Sequence, residues 1–242
     1  MDHGEYVAAV FMDLQKAFDS VDHQHLLGKL ERMGIAGPAH KLIKSFLDNR
    51  SQFVYTNGCV SDRENIVIGI PQGTVLGPLL YLLYVESMSR CKLDCTYFMF
   101  ADDSVFLFHS KNEKTLENII NNNLSIVFNW FCYNKLSLNV SKTCFMRFNQ
   151  KNKKVGDLQI MINNIPLQQV KTYKYLGLTI DENLKWNSHV DSIIKRLRGL
   201  IEAAKHFNQF LSTKYAKLFY NAHIHSVLSY LFEIWSNTSM SN

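Results

Sequence analysis

The sequence predicts an α+β domain followed by a helical extension. Short apolar segments typical of β-strands are mixed with amphipathic helical segments over the first three quarters of the chain, and some strands follow each other directly. From about Trp186 to Trp235 the spacing of apolar residues is mostly helical. With 47% apolar residues and only 11 Gly and 4 Pro in 242 residues, the chain can bury a substantial core.

The N-terminal region is predicted to hold one buried strand and two helices. Residues 6–12 are almost entirely apolar and end at a lone Asp13, as in a strand covered on both faces. Asp22 is placed to cap a helix that Gly34 ends, and a second helix follows Gly37-Pro38. The sequence therefore begins with a β-α-α order.

A strand pair and an apolar helix are predicted next. Residues 53–56 and 65–68 form the expected antiparallel pair, joined by a longer loop that contains Asn57-Gly58. The segment 69–73 is rich in helix breakers and leads into an apolar helix over 78–88.

The centre of the chain predicts a hairpin with acidic residues at its tip. Two short apolar strands, 97–101 and 105–108, are separated by Asp102-Asp103-Ser104. A long amphipathic helix over 114–134 follows, because its apolar residues recur at helical spacing. Three further strands are expected at 143–148, 158–162 and 173–179, and the helical remainder is expected to break near Ser212.

Composition and charge exclude several classes of protein. The apolar content excludes a disordered, collagen-like or low-complexity chain, and no apolar run approaches the ~20 residues of a membrane span. Five scattered cysteines and no secretory signal predict an intracellular protein with reduced thiols, in the cytoplasm, the nucleus or both. Residues 1–121 carry a net charge of −4 and residues 122–242 carry +9. That asymmetry indicates an acidic working centre followed by a region suited to a polyanion, the alternative being a solvated basic face.

Three carboxylates stand in unusual settings. Asp13 ends an apolar strand, and Asp102 and Asp103 lie together between two apolar strands. Adjacent aspartates repel each other and are costly there unless a cation neutralises them. A pair of Mg²⁺ ions, bound by few carboxylates and by substrate phosphates, would do so. The alternative is an exposed turn, where Asp is common.

Five segments resemble, in order, motifs A to E of the reverse transcriptases of non-LTR retrotransposons, and the similarity is greatest to jockey-like LINE elements. They are FMDLQKAFDSVDH at 11–23, IPQGTVLGPLL at 70–80, FADD at 100–103, LSLN at 136–139 with Lys142-Thr143, and YLG at 175–177. The resemblance covers about residues 6–180, and the helical remainder matches the thumb of that family only loosely.

This resemblance implies a catalytic centre. It makes Asp13, Asp102 and Asp103 the carboxylates that hold two Mg²⁺ ions, with Mn²⁺ as a substitute, and the main-chain carbonyl of Leu14 a further ligand. Lys142 matches the lysine proposed to give a proton to the leaving pyrophosphate. For Lys142, a solvated surface side chain is the alternative.

Further residues are implied to bind nucleotide and nucleic acid. Phe18 matches the aromatic gate that excludes a ribose 2′-OH, and Gln72 and Gly73 match the pair beside the incoming dNTP; a core Phe and an ordinary turn are the alternatives. The nucleic-acid-binding residues implied by motif E or suggested by the basic helix are Tyr175, Leu176, Gly177, Lys195, Arg196 and Arg198. A solvated bundle helix is the alternative for the last three.

The resemblance predicts a polymerase palm, an RRM-like antiparallel sheet backed by helices, over 1–182, and part of a helical thumb over 183–242. We expect the fingers to be largely missing, so that the chain is a fragment of a retroelement polyprotein. The implied activity is RNA-directed DNA polymerisation, with an RNA template, a DNA primer and dNTPs as partners, no membrane association and an unknown oligomeric state. The alternative is an inactive or co-opted nucleic-acid-binding remnant. A viral RNA-dependent RNA polymerase and a group II intron maturase fit the motifs less well.

Overall fold

The computed structural model describes residues 4–149, 156–208 and 212–236, which divide into two compact units. The first unit contains the described residues up to 145 together with 156–169. The second contains 146–149, 170–208 and 212–236. No helix in the described ranges is long and apolar enough to cross a membrane.

The first unit mixes strands and helices, as the sequence predicts. Its elements in chain order are β1 Tyr6–Asp13, α1 His23–Arg32, α2 Gly37–Leu47, β2 Ser51–Gln52, β3 Tyr55–Thr56, β4 Cys59–Val60, β5 Glu64–Asn65, α3 Leu76–Val85 with a 3-10 turn Glu86–Arg90, β6 Thr96–Phe100, β7 Asp103–Ser110, α4 Glu113–Tyr133, β8 Cys144–Phe148, β9 Met161–Ile162, β10 Ile165–Pro166 and β11 Gln168–Gln169. The last residues of β8 belong to the second unit.

A five-stranded sheet in the order β11-β8-β1-β7-β6 forms the centre of this unit. β7 runs antiparallel to both β1 and β6. The sheet is nevertheless mixed and not purely antiparallel as predicted, because β11 runs parallel to β8. The intervening chain, which contains the β9-β10 hairpin, brings β11 back in the same direction as β8.

The central strand β1 is buried along most of its length. Ala8 to Met12 are each at most 1% exposed, as expected for a strand covered on both faces. α1, α3 and α4 contribute to a single large apolar cluster that includes Val10 and Phe106 of the sheet. Helices therefore back the sheet, as the fold class requires.

Side chains cap two of the helices: Asp22 caps α1 as the sequence predicts, and Asn112 caps α4, for which no cap was predicted. The Asp22 carboxylate accepts a hydrogen bond of 2.7 Å from the His25 N–H at the start of α1, and its other oxygen lies 2.6 Å from Lys135 Nζ. Asn112 likewise accepts a hydrogen bond from the Thr115 N–H at the start of α4. These contacts satisfy amide groups that a helix leaves unpaired at its first turn.

The strand pair predicted between 53–56 and 65–68 is wrong, because each segment pairs with a different partner. β3 pairs with β4 across the two-residue turn Asn57-Gly58, and β2 pairs with β5. Both turn residues have positive φ, which suits a tight hairpin. All four short strands are exposed, so no buried face fixes their register.

Other boundaries differ from prediction at turns. The acidic hairpin turns at Ala101-Asp102, so Asp103 is the first residue of β7 instead of part of the tip. The single strand predicted at 173–179 is a hairpin, because Leu176 and Gly177 both have positive φ and reverse the chain.

The second unit consists of that hairpin and a set of helices. Its elements are β12 Thr172–Tyr175, β13 Leu178–Asp181, α5 Asn187–Asn208, α6 Thr213–Phe219, a π-helical segment Tyr220–His225, α7 Ser226–Ser229 and α8 Phe232–Trp235. A small core joins Leu178, Ile193 and Trp235. Ser212 is the N-cap residue of α6, although its side chain makes no capping hydrogen bond, and the start of a new helix there confirms the predicted break near that residue.

Removing the Asp22 carboxylate should destabilise the first unit. Asp22→Ala loses both a helix cap and an ion pair, so we expect the free energy of unfolding at pH 7 to fall by about 1–2 kcal/mol. Asp22→Ser keeps a capping oxygen and should recover most of the loss. Urea denaturation measures both effects. Asp62→Ala, at an exposed position between β4 and β5, is the matched control.

The effect of Asp22 should also depend on pH. Burial raises the pKa of Asp22, but hydrogen bonds from Lys135 and the His25 N–H outweigh that effect, and the pKa lies below its ordinary value. The stabilisation is therefore present above the ordinary Asp pKa and is lost as pH falls through the folded-state value. Equal stability losses at neutral and strongly acidic pH would contradict this assignment.

Candidate active site

The register of β1 and β7 places two carboxylates opposite each other. The pairing runs from Tyr6 and Ser110 to Asp13 and Asp103, the last pair at the end of β1. Phe100, the last residue of β6, is also paired with Asp103. Two of the three predicted acids therefore lie on adjacent inner strands of the sheet, at the end where β1 finishes and β7 begins.

The third acid, Asp102, lies in the turn between β6 and β7. Ala101 has a φ of 53°, and its carbonyl accepts a hydrogen bond of 2.9 Å from the Tyr81 hydroxyl. The Asp102 carbonyl accepts a 3.2 Å hydrogen bond from the Leu14 N–H. The turn is thus fixed to α3 on one side and to the end of β1 on the other.

The segment after α4 borders β1 on its other edge. The Asn139 N–H donates to the Asp13 carbonyl at 2.9 Å, and Asn139 Nδ2 donates to Asp13 Oδ2 at 3.2 Å. The Gln15 N–H donates to the Ser137 carbonyl, so the contact continues beyond the end of the strand. Lys142 Nζ lies 3.5 Å from the same Asp13 oxygen. Asn139 and Lys142 therefore both act on the Asp13 carboxylate.

The acids influence each other electrostatically. Burial raises the pKa of Asp103 above its ordinary value, and the charges of Asp102 and Asp13 raise it further. Asp13 is about a quarter exposed and Lys142 about two-thirds exposed, so their ion pair is partly screened by water. Lys142 therefore only partly compensates the negative charge that the three acids bring together.

The donor chemistry of this site suits a divalent cation. In the described part of the chain, no three His, Cys, Asp or Glu side chains are arranged to hold a metal ion. Mg²⁺ usually takes one or two protein carboxylates and completes its octahedron with water and substrate phosphates, so a three-residue cage is not required. The charges of Asp102 and Asp13, which add to the effect of burial in raising the pKa of Asp103, are of the kind that a bound cation would neutralise.

A cavity of about 400 Å³ lies beside the acids. Asp102, Phe18, Gln72 and Gly73 all line it. The Phe18 ring stacks on the Tyr81 ring, with centroids 4.6 Å apart and planes at 25°. The structure therefore brings one catalytic candidate and all three nucleotide-binding candidates to a single cavity.

The segment 69–77, part of which lines this cavity, contains glycine at two positions where another backbone atom comes very close. A Cβ on Gly69, whose φ is +91°, would lie 3.0 Å from the Asp19 carbonyl oxygen. A Cβ on Gly77 would lie 3.0 Å from the Pro71 carbonyl oxygen. The Gln72 amide also donates to the Asp19 carboxylate at 3.0 Å. The segment is therefore held against the chain that follows β1.

The remaining candidates lie in the second unit. Leu176 and Gly177 form the β12-β13 turn, directly after Tyr175 at the end of β12. The three basic candidates on α5 have exposed side chains; they are Lys195, Arg196 and Arg198. These residues thus form one turn and one basic helix surface within that unit.

Sequence analysis assigned no role to two residues that shape the site. Tyr81 supports both Phe18 and the Ala101 carbonyl, and burial together with the charge of Asp102 raises the pKa of its hydroxyl. Asn139 holds the Asp13 carboxylate. Both act over long sequence separations, so no local pattern reveals them. Lys16 also lines the cavity, and its position only three residues beyond Asp13 is a local signal that could have identified it as a site residue.

Comparison with known proteins identifies the family. The family model described as reverse transcriptase (RNA-dependent DNA polymerase) matches residues 1–180. The chain is 31% identical over 210 residues to the probable RNA-directed DNA polymerase from transposon X-element of Drosophila melanogaster, covering 85% of this chain and 23% of that protein. It is 29% identical over 205 residues to the RNA-directed DNA polymerase from mobile element jockey of the same species, covering 82% and 22%.

The fold is similar to a solved structure of apo telomerase from Candida tropicalis, truncated from its C-terminal domain. The TM-score is 0.50 at 14% sequence identity, and the match covers 73% of this chain and 34% of that one. At that identity the similarity concerns the fold alone. The chain spans about a quarter of the length of the two curated relatives described above.

Neutralising Asp13 should lower the pKa of Asp103. Asp13→Asn removes one of the negative charges that raise that pKa, so we expect it to move towards the ordinary Asp value. Carboxyl ¹³C NMR titration measures the change. Glu5→Gln, near the opposite end of β1, removes the same charge about 25 Å away along the strand and should have no effect. An unchanged Asp103 titration in Asp13→Asn would disprove the coupling.

Proposed function

Since this chain belongs to the reverse transcriptase (RNA-dependent DNA polymerase) family, we propose that it forms the catalytic centre of an RNA-directed DNA polymerase. The resemblance to jockey-like non-LTR retrotransposon enzymes is confirmed by the relatives named above. The proposed reaction is attack of a primer 3′-oxygen on the α-phosphate of a dNTP, with pyrophosphate leaving.

One observation supports this proposal most strongly. Asp13 and Asp103 face each other across the β1-β7 pair, and Asp102, next along the chain, lines the cavity that also contains Phe18 and Gln72. Carboxylates and a nucleotide-sized cavity are therefore adjacent. Phosphoryl transfer needs positioning and charge stabilisation more than covalent chemistry, and this arrangement supplies both.

The acids are the proposed cation ligands. Asp13 and Asp102 would be the principal carboxylates, Asp103 would contribute mainly charge, and the Leu14 carbonyl would add a ligand. Two Mg²⁺ ions, or Mn²⁺ in their place, would polarise the attacking and leaving oxygens when bound. Asn139 would keep the Asp13 carboxylate oriented, since it donates to both the carbonyl and the side chain of that residue.

The cavity is the proposed dNTP site. Phe18 is held by stacking on Tyr81, so its ring can act as a rigid wall against a ribose 2′-OH. Gly73 lines the cavity with a positive φ, and its lack of a side chain lets the backbone approach a ligand. Gln72 would contact the nucleotide or the template base beside it.

Lys142 is the proposed proton donor to the leaving pyrophosphate. Its ammonium group already lies 3.5 Å from Asp13 Oδ2, and the side chain is largely exposed. An exposed side chain of this length can turn from the carboxylate towards a phosphate without repacking the core. The cation would also offset charge that develops on the leaving group.

We propose that the sheet and helices of the first unit act as the palm and that the helices of the second act in the thumb. Nucleic acid strands would contact the β12-β13 turn at Tyr175, Leu176 and Gly177. They would also contact the basic side chains of α5 through their phosphates. An RNA template and a DNA primer are the proposed partners.

A second candidate is a nucleic-acid-binding protein without polymerase activity. The excess of basic residues in the second half of the chain also favours this candidate, because positive charge alone supports the binding of nucleic acid. The two proposals differ in whether the acids are needed.

Asp102→Ala should abolish Mg²⁺-dependent primer extension while leaving nucleic acid binding intact. Extension of a DNA primer on an RNA template should be measured for this chain alone, and for this chain joined to the flanking segments of the jockey polymerase. The expected loss is about 10²–10³-fold or more, since the change removes a charge-stabilising group at the reacting atoms. Asp62→Ala is the matched control and should extend normally. Activity retained in Asp102→Ala would remove this residue from the mechanism. If the unaltered chain and both variants all bind nucleic acid but none extends the primer, with or without the flanking segments, the result would favour the second candidate.

Phe18→Ala should weaken discrimination against ribonucleotides. Opening the wall beside Tyr81 leaves room for a 2′-OH, so we expect the ratio of dNTP to rNTP incorporation to fall by roughly tenfold or more, about 1.4 kcal/mol. Single-nucleotide incorporation kinetics measure the ratio. Phe18→Tyr retains a ring and serves as the control. Equal selectivity in Phe18→Ala and the parent protein would refute the gate.

A further inference from the structure

Backbone hydrogen bonds join the chain after β1 to the chain before α3. Asp22 and Ile68 form an isolated antiparallel bridge. The next residue, Gly69, donates its N–H to the Val21 carbonyl at 2.7 Å. These residues lie in the connections between β1 and α1 and between β5 and α3, outside the named helices and strands. The relative position of the two connections therefore depends on the bonds between them.

The same connection continues to the proposed dNTP site. The Ile70 N–H donates to the Phe18 carbonyl at 2.9 Å, and the Ile70 side chain is almost completely buried. Phe18 lines the cavity, as do Gln72 and Gly73 at the other end of the loop 69–73. The proposed steric gate and this loop are thus two parts of the cavity lining that are bonded to each other.

His23 adds a side-chain bond to this loop. It is the first residue of α1 and is only 6% exposed. Its Nε2 lies 2.7 Å from the carbonyl oxygen of Gly69, 46 residues further along the chain. A carbonyl oxygen can only accept a hydrogen bond, so Nε2 carries a proton and is the donor. Gly69 is therefore held at both of its backbone polar groups, by Val21 through its N–H and by His23 through its carbonyl.

Gly69 is also confined by a close contact. Its φ is +91°, and a Cβ at this position would lie 3.0 Å from the Asp19 carbonyl oxygen. This contact limits how closely the loop can approach residues 18–23, and the bond from His23 opposes its movement away from them. The start of the loop is therefore restrained in both directions.

A second side-chain bond to the loop is more accessible to water. Gln72 Nε2 donates to Asp19 Oδ1 at 3.0 Å, and both residues are exposed. Water competes for the groups of such a pair, whereas it has little access to the buried ring of His23. Of these two side-chain bonds, the one from His23 is therefore the stronger restraint on the loop.

We propose that His23 is a positioning residue for sugar discrimination. By holding Gly69, it keeps Gln72 and Gly73 at a fixed distance from Phe18, so that a nucleotide bound in the cavity has no room for a ribose 2′-OH. A steric gate can reject one added oxygen only if the rest of the lining is rigid, because displacements of about 1 Å are enough to change reaction rates strongly. The inference rests on the proposed function for its consequence in catalysis, whereas the coupling between His23 and the loop rests on the geometry alone.

His23 acts through the loop in this proposal and not by contact with the nucleotide. It is not among the described residues that line the cavity. Its loss should therefore change how well the cavity distinguishes two sugars while the groups at the reacting atoms stay in place.

Amide hydrogen exchange measures whether His23 holds the loop, without nucleotide or nucleic acid. His23→Phe keeps a ring and removes the donor, whereas His23→Gln places an amide N–H close to the position of Nε2. We expect the Gly69 and Ile70 amides of the full chain to exchange about fivefold to tenfold faster in His23→Phe, as for the loss of one hydrogen bond, and at the parent rate in His23→Gln. His25→Phe is the matched control, since this ring lies on the same helix and contacts Asn134 instead of the loop.

The amides of β1 report whether the fold is intact, and they should exchange equally in all variants. A uniform increase over β1 and the loop in His23→Phe would indicate a general structural role and overturn the inference. Unchanged exchange at Gly69 and Ile70 would overturn it as well. If His23→Phe does not fold, His23→Asn replaces it, because the shorter amide does not reach the Gly69 carbonyl.

Single-nucleotide incorporation measures the consequence for sugar discrimination, in this chain and in the chain joined to the flanking segments of the jockey polymerase. We expect the ratio of dNTP to rNTP incorporation efficiency to fall about threefold to tenfold in His23→Phe, mainly through a higher KM for the dNTP. His23→Gln should recover the ratio, and His25→Phe should keep it. A role in stability alone would lower the amount of active enzyme, so it would reduce kcat equally for both sugars and leave KM and the ratio unchanged.

The outcomes separate this inference from the proposed function. Equal discrimination in His23→Phe and the parent protein, or a ratio that His23→Gln does not restore, would overturn the inference and leave the polymerase function standing. If the parent protein extends no primer in either form, the polymerase proposal fails and the role in sugar discrimination fails with it. The exchange rates would then still decide whether His23 positions the loop.

Discussion

The register between β1 and β7 is the constraint on which the candidate active site depends. Eight residue pairs, from Tyr6 with Ser110 to Asp13 with Asp103, join the two strands. Ala8 to Met12 are almost completely buried, so both faces of β1 pack in the core. A shift of the β1-β7 pairing by one residue would move every side chain of β1 to the opposite face of the sheet. Core packing fixes the register, and the register in turn places the two acids opposite each other. The catalytic candidates therefore need no dedicated scaffold of their own.

The same register brings negatively charged side chains together at the end where β1 finishes and β7 begins. Asp103 has a raised pKa because it is partly buried and lies near two other carboxylates. The protein moderates this repulsion with Lys142 and with the amide of Asn139, both directed at Asp13. It does not remove the repulsion, because Lys142 is largely exposed and its charge is partly screened by water. A local conflict of this kind, set in a core whose other features agree, is typical of a functional site.

The sequence predicts those elements whose burial is one-sided or complete. The strand at 6–12, the helix capped by Asp22 and the long helix after Asn112 all appear close to their predicted bounds, because apolar spacing and caps are local signals. The short strands from Ser51 to Asn65 do not, because they are exposed and their pairing is decided by the turn at Asn57-Gly58. The roles of Tyr81 and Asn139 were not predictable, since each depends on contacts across twenty to more than a hundred residues.

The turns of the two hairpins show a shared solution to backbone strain. Ala101 and Leu176 are both non-glycine residues with positive φ, 53° and 45°, a conformation that costs such residues about 1 kcal/mol or more. In each case the carbonyl of that residue accepts a hydrogen bond from a tyrosine hydroxyl, Tyr81 at 2.9 Å and Tyr230 at 2.6 Å. A net contribution of about 1 kcal/mol from such a bond is comparable to the strain. Each tyrosine also supports or lines a cavity, Tyr81 through Phe18 in the first unit and Tyr230 together with Gly177 in the second. Truncating either ring would therefore release a turn and enlarge the cavity beside it, which ties the local stability of each hairpin to the shape of that cavity.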